Sequence, residues 1–444
     1  MTTILRHSFR ALRLGAFPVL AAALFATDAE TDPVRALREQ NQKLQQQVDE
    51  QQRQINELRE RLDGLQQPAA APAPAPIAEA PPETLSSRFP AFAETDRQIR
   101  LSGEAGLAFF SSRFNGQFPN AEFRADDAKL FVEAQVWRNA YFFGGIDLVT
   151  REASDEYFHV GELYADFERV FVAGRDRTFN VRAGRFYLPF GEEYQVRNVV
   201  DNPLITHSVA DIWGIDEGVQ AYGQWGPVRY NLAVQNGGHK TLHDYDSDKS
   251  VVARVSVDPV PQLHLSASAM RTGRLNNAND VFSEVWLAGA FFRALGPVST
   301  TPTFHAELAE VDAAWHWPTG HFKGAAGWIG FDDDNPAGGD KRNMSYFSLE
   351  TVQQMGGGFF GAARYSGLHA PKGFPLVGLG NFSQYEFVDP PTKDLERLSL
   401  GVGYRFAAPL VWKFDYSWEY GRLMNGASRS GEDNMLSTEI AMRF

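Results

Sequence analysis

The chain has 444 residues, 43% of them apolar, with a mean hydropathy of −0.32 and a formal charge of −13. Those values exclude a bundle of membrane helices, and without a basic arm they exclude a nucleic-acid-binding protein. Cysteine is absent, which rules out disulfide stapling, haem attachment through Cys-x-x-Cys-His and a lipid on an N-terminal cysteine.

Arg6, Arg10 and Arg13 precede an apolar run from Leu14 to Phe25 that is too short to cross a bilayer, so residues 1–29 read as a secretory signal peptide. Ala26 and Ala29 are both possible cleavage points. From Val34 a seven-residue repeat follows, with Val34, Asn41, Val48, Ile55 and Leu62 at one core position and Leu37, Leu44, Gln51, Leu58 and Leu65 at the other. The other positions are almost all Gln, Glu, Arg and Lys, so residues 32–67 are predicted to form a coiled-coil oligomerisation helix. Branched residues at the first core position favour two strands, with Asn41 and Gln51 fixing register. Pro68 stops the helix, and residues 68–96, rich in Ala and Pro, read as a semi-rigid spacer rising about 3.1 Å per residue.

From Ile99 onward apolar and polar residues alternate. Ile99, Leu101 and Leu107 oppose Arg100, Ser102 and Glu104, and Leu130, Val132 and Val136 oppose Lys129, Glu133 and Gln135. The tail repeats the pattern, with Trp412, Phe414, Tyr416, Trp418 and Tyr420 on one face of a strand that carries Lys413, Asp415 and Glu419 on the other. Such a strand has one oily face, which is the core in a soluble sandwich and the lipid side in an outer-membrane barrel. The connections separate the two readings. Tight turns at Arg138-Asn139, Trp225 to Pro227, Asp258 to Gln262, Trp317 to Gly320 and Ala407 to Leu410 alternate with long polar loops such as Ser111 to Glu122, Gly191 to Glu217, Asn236 to Ser250 and Leu423 to Asn434. Short turns on one rim and long loops on the other belong to membrane barrels. Residues 97–444 are therefore predicted to be an all-β transmembrane antiparallel barrel. Seventeen candidate strands can be drawn, among them Phe282 to Arg293. A barrel with both ends in the periplasm needs an even number, so sixteen or eighteen is expected, with Ala294 to Thr303 a place where a strand could hide.

In this register the lumen-facing cations are Arg100, Lys129, Arg182, Arg229, Arg254, Arg364, Arg405, Lys413 and Arg443, against Glu104, Glu133, Asp166, Asp415, Glu419 and Glu439. Cations lining a narrow, low-dielectric channel select anions; the bland alternative is that they pair across strands. The loop after the fifth strand, holding Arg197, Asp201, His207 and Asp211, is a natural constriction if it folds inward. His207 and Asp211 could hold a metal, but no third ligand is fixed by spacing, so no metal and no cofactor are expected. Gly-x-Ser-x-Gly, His-Glu-x-x-His and phosphate-binding-loop motifs are missing, and an enzyme is not expected.

The stretch Arg182-Ala-Gly-Arg-Phe-Tyr-Leu-Pro-Phe-Gly191, then Asn202-Pro-Leu-Ile205, Gly218 to Gly223 and Tyr230 to Gly237, resembles the phosphate-selective porin O and P family over about Ile99 to Phe444. The coiled coil ahead of the barrel is similar to that of porins for dicarboxylates. The resemblance implies a sixteen-stranded homotrimeric barrel in the outer membrane of a Gram-negative bacterium, with the coiled coil in the periplasm and inward loops narrowing the pore. It also implies arginines and lysines that conduct small anionic solutes such as phosphate or carboxylates, and Phe444 as the assembly signal. A net charge of −10 over the barrel, 32 Lys and Arg against 42 Asp and Glu, departs from a strong anion funnel. The competing expectation is a structural sheath or tether around a partner such as an electron-transfer cytochrome.

Overall fold

A computed structural model of the chain describes Arg53 and residues 99–113, 116–150, 157–174, 177–237, 247–276, 285–287, 290–292, 303–333, 341–374, 376–377, 392–428 and 434–444. The expected signal peptide, coiled coil and spacer lie, Arg53 apart, outside the described residues. Sixteen strands form the barrel: β1 (Ile99–Ser112), β2 (Glu122–Trp137), β3 (Ala140–Val149), β4 (Tyr157–Val172), β5 (Arg177–Tyr187), β6 (Ile212–Trp225), β7 (Val228–Gln235), β8 (Ser250–Val260), β9 (Leu263–Arg271), β10 (Thr303–Trp317), β11 (Gly320–Asp333), β12 (Arg342–Gly356), β13 (Phe359–Phe374), β14 (Thr392–Ala407), β15 (Leu410–Leu423) and β16 (Met435–Arg443). Each pairs antiparallel with the next. β16 then pairs with β1, with Arg443 opposite Glu104 and Met435 opposite Ser112. The sheet closes on itself and leaves no edge. Phe444 extends the closure, exchanging backbone hydrogen bonds of 3.0 and 2.9 Å with Gly103.

The count is the lower of the two expected. Phe282 to Arg293 is not one barrel strand: among its described residues, Val285–Leu287 and Ala290–Phe292 pair with each other antiparallel, and with the start of β6 and with Leu376–Val377. Three-residue pieces fall far short of the roughly nine to eleven residues that a crossing strand needs. Alternation alone could not show this, because a loop folded as a small sheet alternates as well.

The faces are sorted as a membrane barrel requires. On β15, Val411, Lys413, Asp415, Ser417 and Glu419 point inward and are buried, while Trp412, Phe414, Tyr416, Trp418 and Tyr420 point outward. Lys413 is 1% exposed and Trp418 44%, the reverse of a soluble core. The short connections all lie on one rim, including those between β4 and β5 and between β12 and β13, which are not among the turns named from the sequence.

The barrel is not hollow. Residues 188–211, between β5 and β6, run inside it, and Val199, Val200 and Leu204 pack against the inward Val352, Phe360, Ala362, Val411 and Ala441. Ile205 joins Ala108, Phe110, Phe118 and Met435. Apolar residues on both loop and wall drive the loop against the inner surface, since either face alone would stand in water.

Candidate functional site

The loop turns inward at Gly191, whose φ of +67° and close approach to Glu310 leave no room for a side chain. The Gly191 amide donates to Ser268 Oγ at 3.0 Å, and its carbonyl accepts from Arg254 at 2.9 Å. A single helical turn, Glu193–Val196, follows. The two legs are tied by Glu193, which accepts from the Ser208 amide (3.2 Å) and hydroxyl (2.6 Å). They are tied again by Arg197, which donates to Asp211 at 2.7 Å and lies 4.3 Å from the centroid of the Trp213 ring. At the tip the Asn198 side chain accepts from the amides of Val200 and Asp201 and donates to the Asp201 carboxylate.

Charged side chains of β8 and β13–β16 anchor this backbone. Lys413 Nζ donates to the carbonyls of Val199 (2.7 Å), Asn202 and Leu204 (both 3.3 Å) and pairs with Glu439 at 2.7 Å. Asp415 accepts from the amides of Ile205 (2.8 Å) and Thr206 (3.0 Å) and from the Thr206 hydroxyl. Arg364 donates to the Thr206 carbonyl (2.6 Å) and to Asn202 (2.9 Å) and pairs with Glu350. Arg397 reaches the His207 carbonyl at 3.0 Å, Arg405 reaches the Val200 carbonyl at 3.3 Å, and Arg443 binds Asp201 (2.7 Å), Asn198 and Glu104 (both 3.0 Å). Charge-assisted bonds of this kind offset the cost of burying the ions.

Four cations expected to line a pore are therefore occupied elsewhere. Arg254, Arg364, Arg405 and Lys413 hold loop carbonyls, and Arg364 and Lys413 are buried between loop and wall, at 4% and 1% exposure. A lone sequence position has no way to announce a carbonyl partner contributed from 63 to 214 residues away.

Open space remains on the other side of the loop, along β1–β6. A cavity of about 480 Å³ is bordered by Lys129, Arg182, Arg197 and Arg443 among the cations and by Glu104, Glu133, Asp147 and Glu162 among the acids. A second, of about 520 Å³, adjoins it toward the turn rim and adds Arg100, Asp166 and Glu168. Arg182 is held by Asp166 at 2.7 Å, and Lys129 forms no ion pair among the described residues. Arg229 pairs with Asp258 at 2.7 Å and is half-exposed near the turn rim. Asp147 and Glu162 are not among the acids named from the sequence, although they continue the inward alternation of Phe143 and Gly145 and of Tyr164 and Asp166. Burial raises the Tyr194 hydroxyl above its ordinary pKa. Burial alone would raise the Asp201 carboxyl too, but hydrogen bonds from Arg443 and Asn198 outweigh it and hold that group below the usual carboxylate range.

His207 Nδ1 lies 3.7 Å from Asp211, whose same oxygen is already bound by Arg197. Among the described residues no three His, Asp or Glu side chains converge as metal ligands.

The closed barrel with an inward loop is a porin-type fold, and solved outer-membrane proteins share it. OmpT of Vibrio cholerae in its trimer form matches with a TM-score of 0.52 and 11% identity over 78% of this chain and 99% of that one. The outer-membrane channel DcaP of Acinetobacter baumannii matches with 0.52 and 11% over 78% and 97%, and an anion-selective porin from Comamonas acidovorans with 0.50 and 10% over 78% and 99%. At these identities the likeness is one of fold. No protein-family model matches the chain, and no curated protein matches its sequence.

Proposed function

We propose that the protein is an outer-membrane porin, a passive diffusion channel for small hydrophilic solutes, anions such as phosphate or carboxylates among them. The observation that carries this reading is the loop 188–211, clamped by hydrogen bonds from charged side chains to its backbone on one side of a closed barrel and leaving a charged passage along the other. A loop held this firmly narrows a channel without plugging it. Lys129 and Arg100 are the cations left to favour anions, and the carboxylates beside them limit that preference. A sheath around a folded partner would need the interior that the loop fills. Assembly as a homotrimer in outer-membrane lipid, a periplasmic coiled coil and Phe444 as the assembly signal belong to the same proposal. Planar-bilayer recording of the purified full-length protein tests it: stepwise ion conductance is expected, and a bilayer that stays electrically silent at every voltage would sink it.

A further inference from the structure

Neighbouring strands carry a run of π systems along the open side of the interior. The rings of Phe131 and Phe143 have centroids 5.8 Å apart and planes at 29°, and those of Phe143 and Tyr164 are 5.0 Å apart at 18°. The Arg182 guanidinium continues the stack, 4.0 Å from the Tyr164 centroid and 5.5 Å from that of Tyr222. Asp166 fixes this end by accepting from Arg182 and, at 2.6 Å, from the Tyr222 hydroxyl. Rings in contact are about 3.5 Å thick, so a separation of 5.0 Å requires a sideways slip, and each ring leaves part of its face uncovered. Phe131, Phe143 and Tyr164 are all half-buried. The strip lies where the two cavities meet, since Glu133, Phe143, Tyr164 and Arg182 border both. Barrel strands tilt by about 35–45°, so a row passing from strand to strand climbs the wall obliquely and follows the passage.

We propose that this strip is a binding track for neutral, polyhydroxylated ring solutes, that is, saccharides. The C–H face of a sugar ring packs on an uncovered aromatic face, and the polar groups beside the strip suit its hydroxyls. Lys129 and Arg182 offer donors while Glu133, Asp147 and Glu162 offer acceptors around the same space. A hydroxyl uses both, whereas a solute of one sign meets repulsion from half of them. The proposal rests on the porin reading.

The test is block of ion current through the full-length protein in a planar bilayer by maltotriose, with sorbitol, an open-chain polyol, as the control. Maltotriose is expected to interrupt the current and sorbitol not to. Phe143→Ala should raise the half-blocking concentration roughly three- to tenfold, the size of one lost ring contact, and Phe143→Tyr, which keeps the ring, should not. Should Phe143→Ala fail to assemble, Phe131→Leu carries the same comparison. A channel that conducts salt but is indifferent to maltotriose, that is blocked by benzoate alone, or whose maltotriose block survives Phe143→Ala overturns the saccharide track and leaves the porin reading standing. No salt conductance at all overturns both.

Discussion

Lys413 and Asp415 stand two residues apart on the inner face of β15 and bind opposite poles of one loop backbone. Lys413 takes the carbonyls of Val199, Asn202 and Leu204, while Asp415 takes the amides of Ile205 and Thr206. Period-two geometry puts both on the same face, and the loop's change of direction between Leu204 and Ile205 turns carbonyls toward one and amides toward the other. Asp415→Ala leaves two buried amides without an acceptor, and Lys413→Met leaves Glu439, fully buried, without its cation. Lys413→Met should destabilise the folded barrel by about 3–5 kcal/mol, the cost of breaking a buried pair from one side, and Asp415→Ala by about 1–3 kcal/mol for each amide left without an acceptor. Each should also make single-channel current larger and noisier as the loop loosens. Lys413→Met combined with Glu439→Gln should recover part of the loss, read as thermal unfolding followed by circular dichroism. Equal melting temperatures for the single and double variants would remove the pair from the account.

The barrel was legible because its signals are local: two-residue alternation, and short turns sorted from long loops. The loop's docking was legible only by an indirect sign. Val352, Phe360, Val411 and Ala441 sit at inward positions where a wet lumen calls for polar residues, and they mark the wall that the loop covers. The fate of Arg364 and Lys413 was not legible, since an inward cation reads the same whether it meets a solute or a main-chain carbonyl. Phe282 to Arg293 failed for a different reason. Its alternation is real, but it serves short pairings with β6 and residues 376–377 rather than a crossing.

Two glycines should respond differently to a methyl group. At Gly361 a Cβ would meet nothing nearer than Met355 Cε at 3.6 Å, an ordinary contact. At Gly191 it would meet Glu310 Oε1 at 2.3 Å with φ at +67°, so steric conflict adds to a backbone conformation that alanine resists. Gly191→Ala should cost on the order of 1–3 kcal/mol and Gly361→Ala distinctly less. Chemical denaturation of the two variants side by side checks the order, and a reversed ranking would contradict the entry geometry of the loop.

The loop tip should be insensitive to mild acid. Asp201 is held below the usual carboxylate range chiefly because Arg443 and Asn198 donate to it. A carboxyl with a lowered folded-state pKa contributes its full share above the unfolded value and loses it as pH falls through the folded one. The Asp201 to Arg443 contact therefore persists down to about pH 4, the ordinary Asp value, and weakens below it. The contribution of this contact to conductance, read as the difference from Asp201→Asn, should be constant from neutral pH to that point and then shrink as the native chain's conductance rises. Asp201→Asn should start from the higher conductance and show less of that rise. Glu104 keeps a second hold on Arg443, so the step should be partial.

Ion preference should turn on Lys129. Arg182 is neutralised by Asp166, Arg443 by Asp201 and Glu104, and Arg197 by Asp211, whereas Lys129 borders the same cavity without an ion pair among the described residues. Glu133, further along the same inward face of β2, is its exposed counterpart. A unit charge about 8 Å from the path of an ion in water-like surroundings contributes about 0.5 kcal/mol, roughly a twofold change in relative permeability. Lys129→Gln should accordingly shift the reversal potential in a potassium chloride gradient toward cations by about that factor, and Glu133→Gln should shift it toward anions. The opposed signs separate a local field from a general loosening of the barrel, which would move both variants the same way. If neither variant moved the reversal potential, the permeating ions would not pass along the β1–β5 wall.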